Sequence, residues 1–375
     1  MPNPDRVELV RKRLGLTKIG FAERLGVDRK VIQRFEACEA ELPEHAINNL
    51  VSASQYPIEF FSGPSPEYPN PDGVSFRSLR SLTARSRDAS QAAGALAFMF
   101  DDWISDRYGR PEANLDLVPM NEPNPAEAAA RVRAHWGIGS RPIGNAINLL
   151  ETNGIRVFSL AEETRHLDAY SLWRDDKPYI FLNMTKTMER TRHDAFHELG
   201  HLVMHRHTGS KHKMAEFEAD TFASAFLMPE EDLKAEIPYF RSLDHLIEKK
   251  RRWGVSAASL NFALNRIQRI SDWNYRGNYI ALGKIGKSVE PSPLPPETSQ
   301  IWTKILRDLW TRGLPLSRIA NELHLPEKEL NDLLFGITSA LSKRLKTVLE
   351  NSKGPQFPAT LADRTTPAHF KFTLS

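Results

Sequence analysis

The residues with the clearest chemical potential are His197-Glu198-Leu199-Gly200-His201, inside a run from Thr191 to His205. Residues four apart share one face of a helix, so both imidazoles can reach a single Zn²⁺ while Glu198 points towards a water in the open position. Such a set performs metal-assisted hydrolysis. The bland alternative is a helix with satisfied core histidines, and the flanks bear on the choice. Ala195, Phe196, Leu199, Leu202 and Val203 form an apolar stripe that would bury one side of the helix and leave the histidines facing a cleft. Gly200 costs about 1 kcal/mol relative to alanine in a helix interior, which implies close packing or room for a ligand there.

A catalytic zinc takes a third protein ligand and keeps a fourth position open. Fifteen residues after His201 the chain reads Glu216-Phe-Glu-Ala-Asp220 and opens a second amphipathic run that stops at Met228-Pro229. Glu216 and Asp220 share a helix face, so Glu216 is read as the ligand and Asp220 as a hydrogen-bond partner of a ligand imidazole. Glu218 is the fallback ligand. It is equally explained as an early-turn carboxylate favoured by the helix dipole.

These two motifs, H-E-L-G-H followed by E-x-E-A-D-x-F-A-S-A-F-L-M-P, resemble those of the ImmA/IrrE (DUF955) metallopeptidases over roughly residues 120–270. The resemblance implies zinc held by His197, His201 and Glu216, with Glu198 as general base. It also implies a protein substrate, several such enzymes cleaving a repressor. Phe226 stands where leucine is usual, which touches packing rather than chemistry.

The elements that would position the site follow in order. Helices are expected over 125–136 and up to Leu150, then strands over 155–160, 169–173 and 179–183. The stretch Arg174-Asp-Asp-Lys177 carries a hairpin signature. A strand such as 168–173 at the sheet edge would suit capture of an extended peptide, and Tyr170 is a candidate oxyanion donor. His193 and His205 extend the four-residue series, but one straight helix cannot bring four histidines to one metal. They are read as neighbours of the site or surface residues. The basic run Lys249-Lys-Arg-Arg252 is read as a solvated helix face.

Upstream, Leu16 to Glu36 resembles the helix-turn-helix of Cro/C1 (XRE) repressors, with Ala22, Leu25, Val27, Ile32 and Phe35 as its core. Arg29, Lys30, Gln33 and Arg34 fall on the outer face of the third helix, suited to base edges in the major groove. Thr17 and Lys18 lie where such domains touch phosphate. The competing reading is a protein-binding helical module, since Glu36, Glu39, Glu41 and Glu44 follow at once. Near the C-terminus Ile319, Ala320, Leu323, Leu325, Leu330 and Leu333 repeat the core pattern at a constant offset. Their outer face carries Glu327, Lys328, Glu329, Asn331 and Asp332, which phosphate would repel, so this copy reads as an interaction or dimerisation module.

The fold class expected is mainly α with a small β-sheet (α+β). The expected plan is a helix-turn-helix DNA-binding domain at 1–60, a linker at 61–75, and a zincin-like metallopeptidase domain with flanking helices at 76–285. A second linker at 286–299, a helical module at 300–350 and a disordered tail at 351–375 complete it. A chain of 375 residues supports several domains, and its net charge of +3 excludes global attraction to nucleic acid, so operator DNA would have to meet a local patch. One cysteine, no signal peptide and no long apolar run fit a cytoplasmic protein without a membrane partner, and a homodimer is a further expectation. The expected function is a DNA-binding regulator fused to a zinc endopeptidase acting on a repressor, another regulatory protein or itself. The alternative is a transcription factor or antitoxin-like regulator whose metal domain is a sensor.

Overall fold

Side-chain caps and left-handed turns set the N-terminal helices. Helix α1 (Pro4–Arg13) starts on Asn3, whose side chain accepts from Asp5 N–H, and α2 (Lys18–Leu25) starts on Thr17, which accepts from Gly20 N–H. Gly26 ends α2 at φ +69°, and Asp28 caps α3 (Arg29–Glu36). Helix α4 (Glu44–Ser54) and a 3₁₀ turn at Ile58–Ser62 close the bundle over Val7, Val10, Phe21, Leu25, Ile32, Leu50 and Phe61. The computed structural model describes residues 1–70, 83–115, 124–160, 167–206, 213–286 and 289–337. Parts of both linkers, His207, His212, the end of the C-terminal module and the tail expected to be disordered lie outside these.

The chain divides into two compact units, Met1–Pro69 with Leu82–Pro111 and Ser299–Ser375, and Asn70–Ser81 with Glu112–Thr298. In the first unit, α5 (Ala84–Ser105) packs on α1, and Phe100 lies 5.3 Å from the buried ring of Trp302 on α14 (Gln300–Thr311). Helices α15 (Leu316–Leu323) and α16 (Glu327–Leu333) follow. In this division the helix at 84–105 and the segment from 299 group with the N-terminal bundle.

The second unit is helical with one small mixed sheet. Helices α6 (Pro125–His135) and α7 (Ala146–Thr152) precede β1 (Arg156–Ser159), β2 (Ala169–Arg174) and β3 (Lys177–Leu182). The strand order is β1-β3-β2, with β1 parallel and β2 antiparallel to β3. The Arg174–Lys177 pair closes the hairpin, and Asp175 takes φ +52° in its turn. Helix α8 (Met188–Met204) lies on the sheet and α9 (Lys213–Leu227) lies on α8. Helices α10 (Glu230–Glu236), α11 (Leu243–Trp253), α12 (Ala257–Arg266) and α13 (Asp272–Ile285) complete the unit. The α+β class holds. Among the described residues no helix is long and apolar enough to cross a membrane.

Two buried charges anchor the first half of α8. Arg192, about 1% exposed, donates to the carbonyls of Ile143, Gly144 and Trp253 and pairs with Glu297. Gly254 at φ +64° sits against it, where any Cβ would fall 2.6 Å from the guanidinium. Lys250 is fully buried between Glu189 at 2.8 Å and Glu290 at 3.0 Å. This corrects the solvated reading of the run 249–252: Lys250 is an interior ion, and Lys249 and Arg252 pair with Glu236 and Asp232. Removing one partner of a buried pair leaves an uncompensated charge, so Lys250→Met is expected to cost about 3–5 kcal/mol in denaturant unfolding, part of which Glu189→Gln should restore. Wild-type stability in Lys250→Met would show that water screens the pair.

Candidate metal centre

The packing of α8 against α9 builds the site. Phe196, Leu199, Leu202 and Val203 are buried beneath α8, and Phe196 stacks on Phe226 with ring centroids 4.7 Å apart. Phe226 also meets Phe222 and Trp136, so the larger ring at this position fills a junction between α6, α8 and α9. Where α9 passes Gly200, a Cβ would lie 3.2 Å from the Phe222 ring and 3.3 Å from Ala219 Cα. Close packing is thus the reason for glycine there.

This approach brings Glu216 of α9 to the two histidines of α8. His197 Nε2 and His201 Nε2 are 3.1 Å apart, and the Glu216 carboxylate oxygens lie 3.4 Å from the first and 3.8 Å from the second. Donors bound at ~2.0–2.2 Å around a tetrahedral zinc are separated by about 3.3–3.5 Å, so the three fit one ion. Among the described residues these three form the cluster able to hold a metal, with one ligand atom of each within 4.8 Å of the others.

Partners outside the cluster orient its imidazoles. Asp220 Oδ1 lies 2.8 Å from His197 Nδ1, which turns Nε2 towards Glu216. Glu218, the alternative ligand considered from sequence, instead hydrogen-bonds His205 Nε2 at 2.8 Å, and His205 Nδ1 lies 3.0 Å from His201 Nδ1. Glu198 is buried beside β2, where the Ser171 hydroxyl donates to its Oε2 at 2.6 Å. Tyr170 is not at the site. Strand alternation turns it to the opposite face from Ser171, stacked on Phe181 at 4.5 Å.

Ser171 and the His205–Glu218 link escaped the sequence reading. Strand periodicity puts Ser171 on the face opposite Tyr170, but only the crossing of β2 and α8 puts that face on Glu198. The four-residue spacing from His201 did mark His205, without indicating its partner.

The candidate DNA-contacting residues belong to the other unit. Arg29, Lys30, Gln33 and Arg34 are exposed along α3. Thr17 spends its hydroxyl oxygen on the α2 cap, and the Lys18 ammonium lies 2.7 Å from Glu36.

Without a metal the two imidazoles are pushed in opposite directions. Burial lowers the His197 pKa, but hydrogen bonds to Asp220 and Glu216 and the nearby Glu198 charge outweigh it and raise the value to about 10. His201 is driven well below its ordinary value by burial and then by His197 and His205. A charged His197 therefore donates from Nε2 to a neutral His201.

A two-helix site of two histidines and a carboxylate, with a second carboxylate between the histidines and a sheet, defines a metallopeptidase-like domain. Residues 150–265 match the family model of the Peptidase_M78 family, described as the IrrE N-terminal-like domain. That span contains all of β1 to β3, α8 and α9. No curated protein matches the chain.

A metal bound at Nε2 must displace the His197 proton. Calorimetry in buffers of different ionisation enthalpy should register about one proton released per zinc near neutral pH. The apparent affinity should rise roughly tenfold per pH unit between about pH 7 and 9, below the His197 pKa of about 10. An affinity independent of pH across that window would mean that His197 is neutral before the metal arrives.

Proposed function

We propose that the chain is a DNA-binding regulator joined to a zinc-dependent endopeptidase that cleaves a repressor, another regulatory protein or itself. The observation that carries the hydrolytic half is the convergence of His197, His201 and Glu216 with Glu198 beside them. Zinc held by those three residues would supply Lewis acidity, polarising the scissile carbonyl and lowering the pKa of the attacking water. Glu198 accepts the proton of that water and passes it to the departing amine nitrogen. Ser171 holds one oxygen of this carboxylate at 2.6 Å, which fixes the direction of the other. Once the Nε2 proton has left, Asp220 keeps the remaining His197 proton on Nδ1 and the Nε2 lone pair inward.

The sheet supports a peptide substrate. Strand β2 is an edge strand in the order β1-β3-β2 and carries Ser171 against α8, so an extended chain added along β2 would pass the catalytic carboxylate. The regulatory half is supported by the helix-turn-helix geometry of α2 and α3, with Arg29 and Gln33 exposed where arginine and glutamine read guanine and adenine. Lys18 would have to exchange Glu36 for a phosphate, so Arg29, Lys30 and Arg34 are the better backbone and base contacts.

Glu198→Gln tests the hydrolytic reading. The variant should keep its zinc and its fold while cleavage of co-expressed repressors, or of the chain itself, falls roughly 10²–10⁴-fold. Unchanged cleavage would assign the proteolysis to another enzyme, and no cleavage by the zinc-loaded wild type would favour a sensor. For the DNA half, Arg29→Ala and Gln33→Ala should each weaken binding to the operator of the protein's own gene by about 1–3 kcal/mol without altering zinc content. No binding of wild type to DNA upstream of its own gene at low salt would instead make α3 a protein-binding face.

A further inference from the structure

We propose that His205 and Glu218 act as a positioning relay that fixes the tautomer and ring orientation of His201. The purpose of the relay rests on the metal-centre reading above. Its geometry does not.

His201 turns Nε2 towards His197 and Glu216, at 3.1 and 3.8 Å. To present a lone pair there, a neutral imidazole must carry its proton on Nδ1. That Nδ1 lies 3.0 Å from Nδ1 of His205, and only one of the two nitrogens can hold the shared hydrogen. Glu218 decides which. Its carboxylate oxygen, 2.8 Å from His205 Nε2, can only accept, so the His205 proton belongs on Nε2. With that proton on Nε2, His205 Nδ1 is placed to accept from His201 Nδ1–H, which keeps the His201 Nε2 lone pair turned towards His197 and Glu216.

The relay is held at both ends. His205 closes α8, its backbone N–H donating to the His201 carbonyl at 2.9 Å, and its side chain is 9% exposed. Glu218 stands on α9 between Glu216 and Asp220. The two carboxylates that follow Glu216 therefore serve one histidine each: Asp220 acts on His197 directly, and Glu218 acts on His201 through an imidazole. Ordered this way, the acidic run 216–220 gives one ligand and two orienting groups.

The test uses the full chain with His205→Phe, which fills the space without an acceptor, and His205→Asn, whose side-chain oxygen can take the place of Nδ1. Zinc affinity, measured by competition with a chromophoric chelator, should fall 10–100-fold in His205→Phe and recover most of that loss in His205→Asn. Ring-nitrogen NMR on the metal-free proteins supplies the second readout: wild type should show His205 protonated on Nε2 with Nδ1 accepting from His201, a preference that Glu218→Leu should release. Equal zinc affinity in a folded His205→Phe, or a wild-type His205 protonated on Nδ1, would overturn the relay. If wild type takes up no zinc, the metal-centre reading fails, while the nitrogen spectra still decide the relay.

Discussion

The close passage of α9 over Gly200 is the constraint on which the site depends. Two imidazoles on one helix present their nitrogens at fixed positions, but a third ligand from another helix arrives only if the two axes approach closely enough for a glutamate to span the gap. With a Cβ at Gly200 lying 3.2–3.3 Å from Phe222 and Ala219, a larger residue requires the Phe222 ring or the α9 backbone that carries Glu216 to give by a few tenths of an ångström. The helix-propensity loss of about 1 kcal/mol at this glycine is thus the energetic counterpart of ligand geometry. Ala219 and Ala223, both fully buried on α9, extend the same close approach along the helix.

Approach along α9 would be of little use if α8 could slide or rotate. Its first turn is held by Glu189 on the buried Lys250, and its second by Arg192 on three carbonyls and Glu297. These interactions are expensive to assemble, because each charge must leave water. They are well suited to fixing register, because a helix displaced by one residue would strand a buried ion. Aliphatic packing beneath Leu199 and Leu202 holds α8 against the sheet without specifying its axial position so sharply. The polar anchors lie at the N-terminal half and His197 and Glu198 one to two turns later. The precision needed at His197 and Glu198 is therefore set by side chains outside the site.

Much of this was legible in the sequence where the signal was local. Four-residue spacing placed His197 and His201, the alternation and turn residues around 174–177 gave the hairpin, and the Glu216–Asp220 interval put both carboxylates on one side of α9. What was not legible depends on long-range partners. Lys250 sits in a run of four basic residues, and nothing local separates the one that is fully buried from its exposed neighbours. Ser171 is a small polar residue within the buried part of β2, and Glu218 differs from Glu216 only through the rotation of α9 about its axis. Helical periodicity fixes relative angles within an element, but not the absolute angle at which the element meets its neighbour.

The same distinction governs the two copies of the N-terminal helix pattern. Helices α15 and α16 repeat α2 and α3 at one offset, down to the left-handed residue between them, Gly26 at φ +69° and His324 at φ +54°. Asparagine-like tolerance of that conformation is modest in histidine, so the copied turn is held by the buried residues around it, Ile319, Ala320, Leu325 and Leu330. The surfaces have diverged. In α3 the outer residues stay exposed, whereas in α16 Glu329 lies 2.8 Å from Arg13, which is 3% exposed, and the helix packs on α5. The third helix of the pattern is exposed in one copy and packed on α1 and α5 in the other. A shared core pattern thus specifies how three helices pack, while the charge and exposure of the third helix decide whether it faces a partner or its own chain.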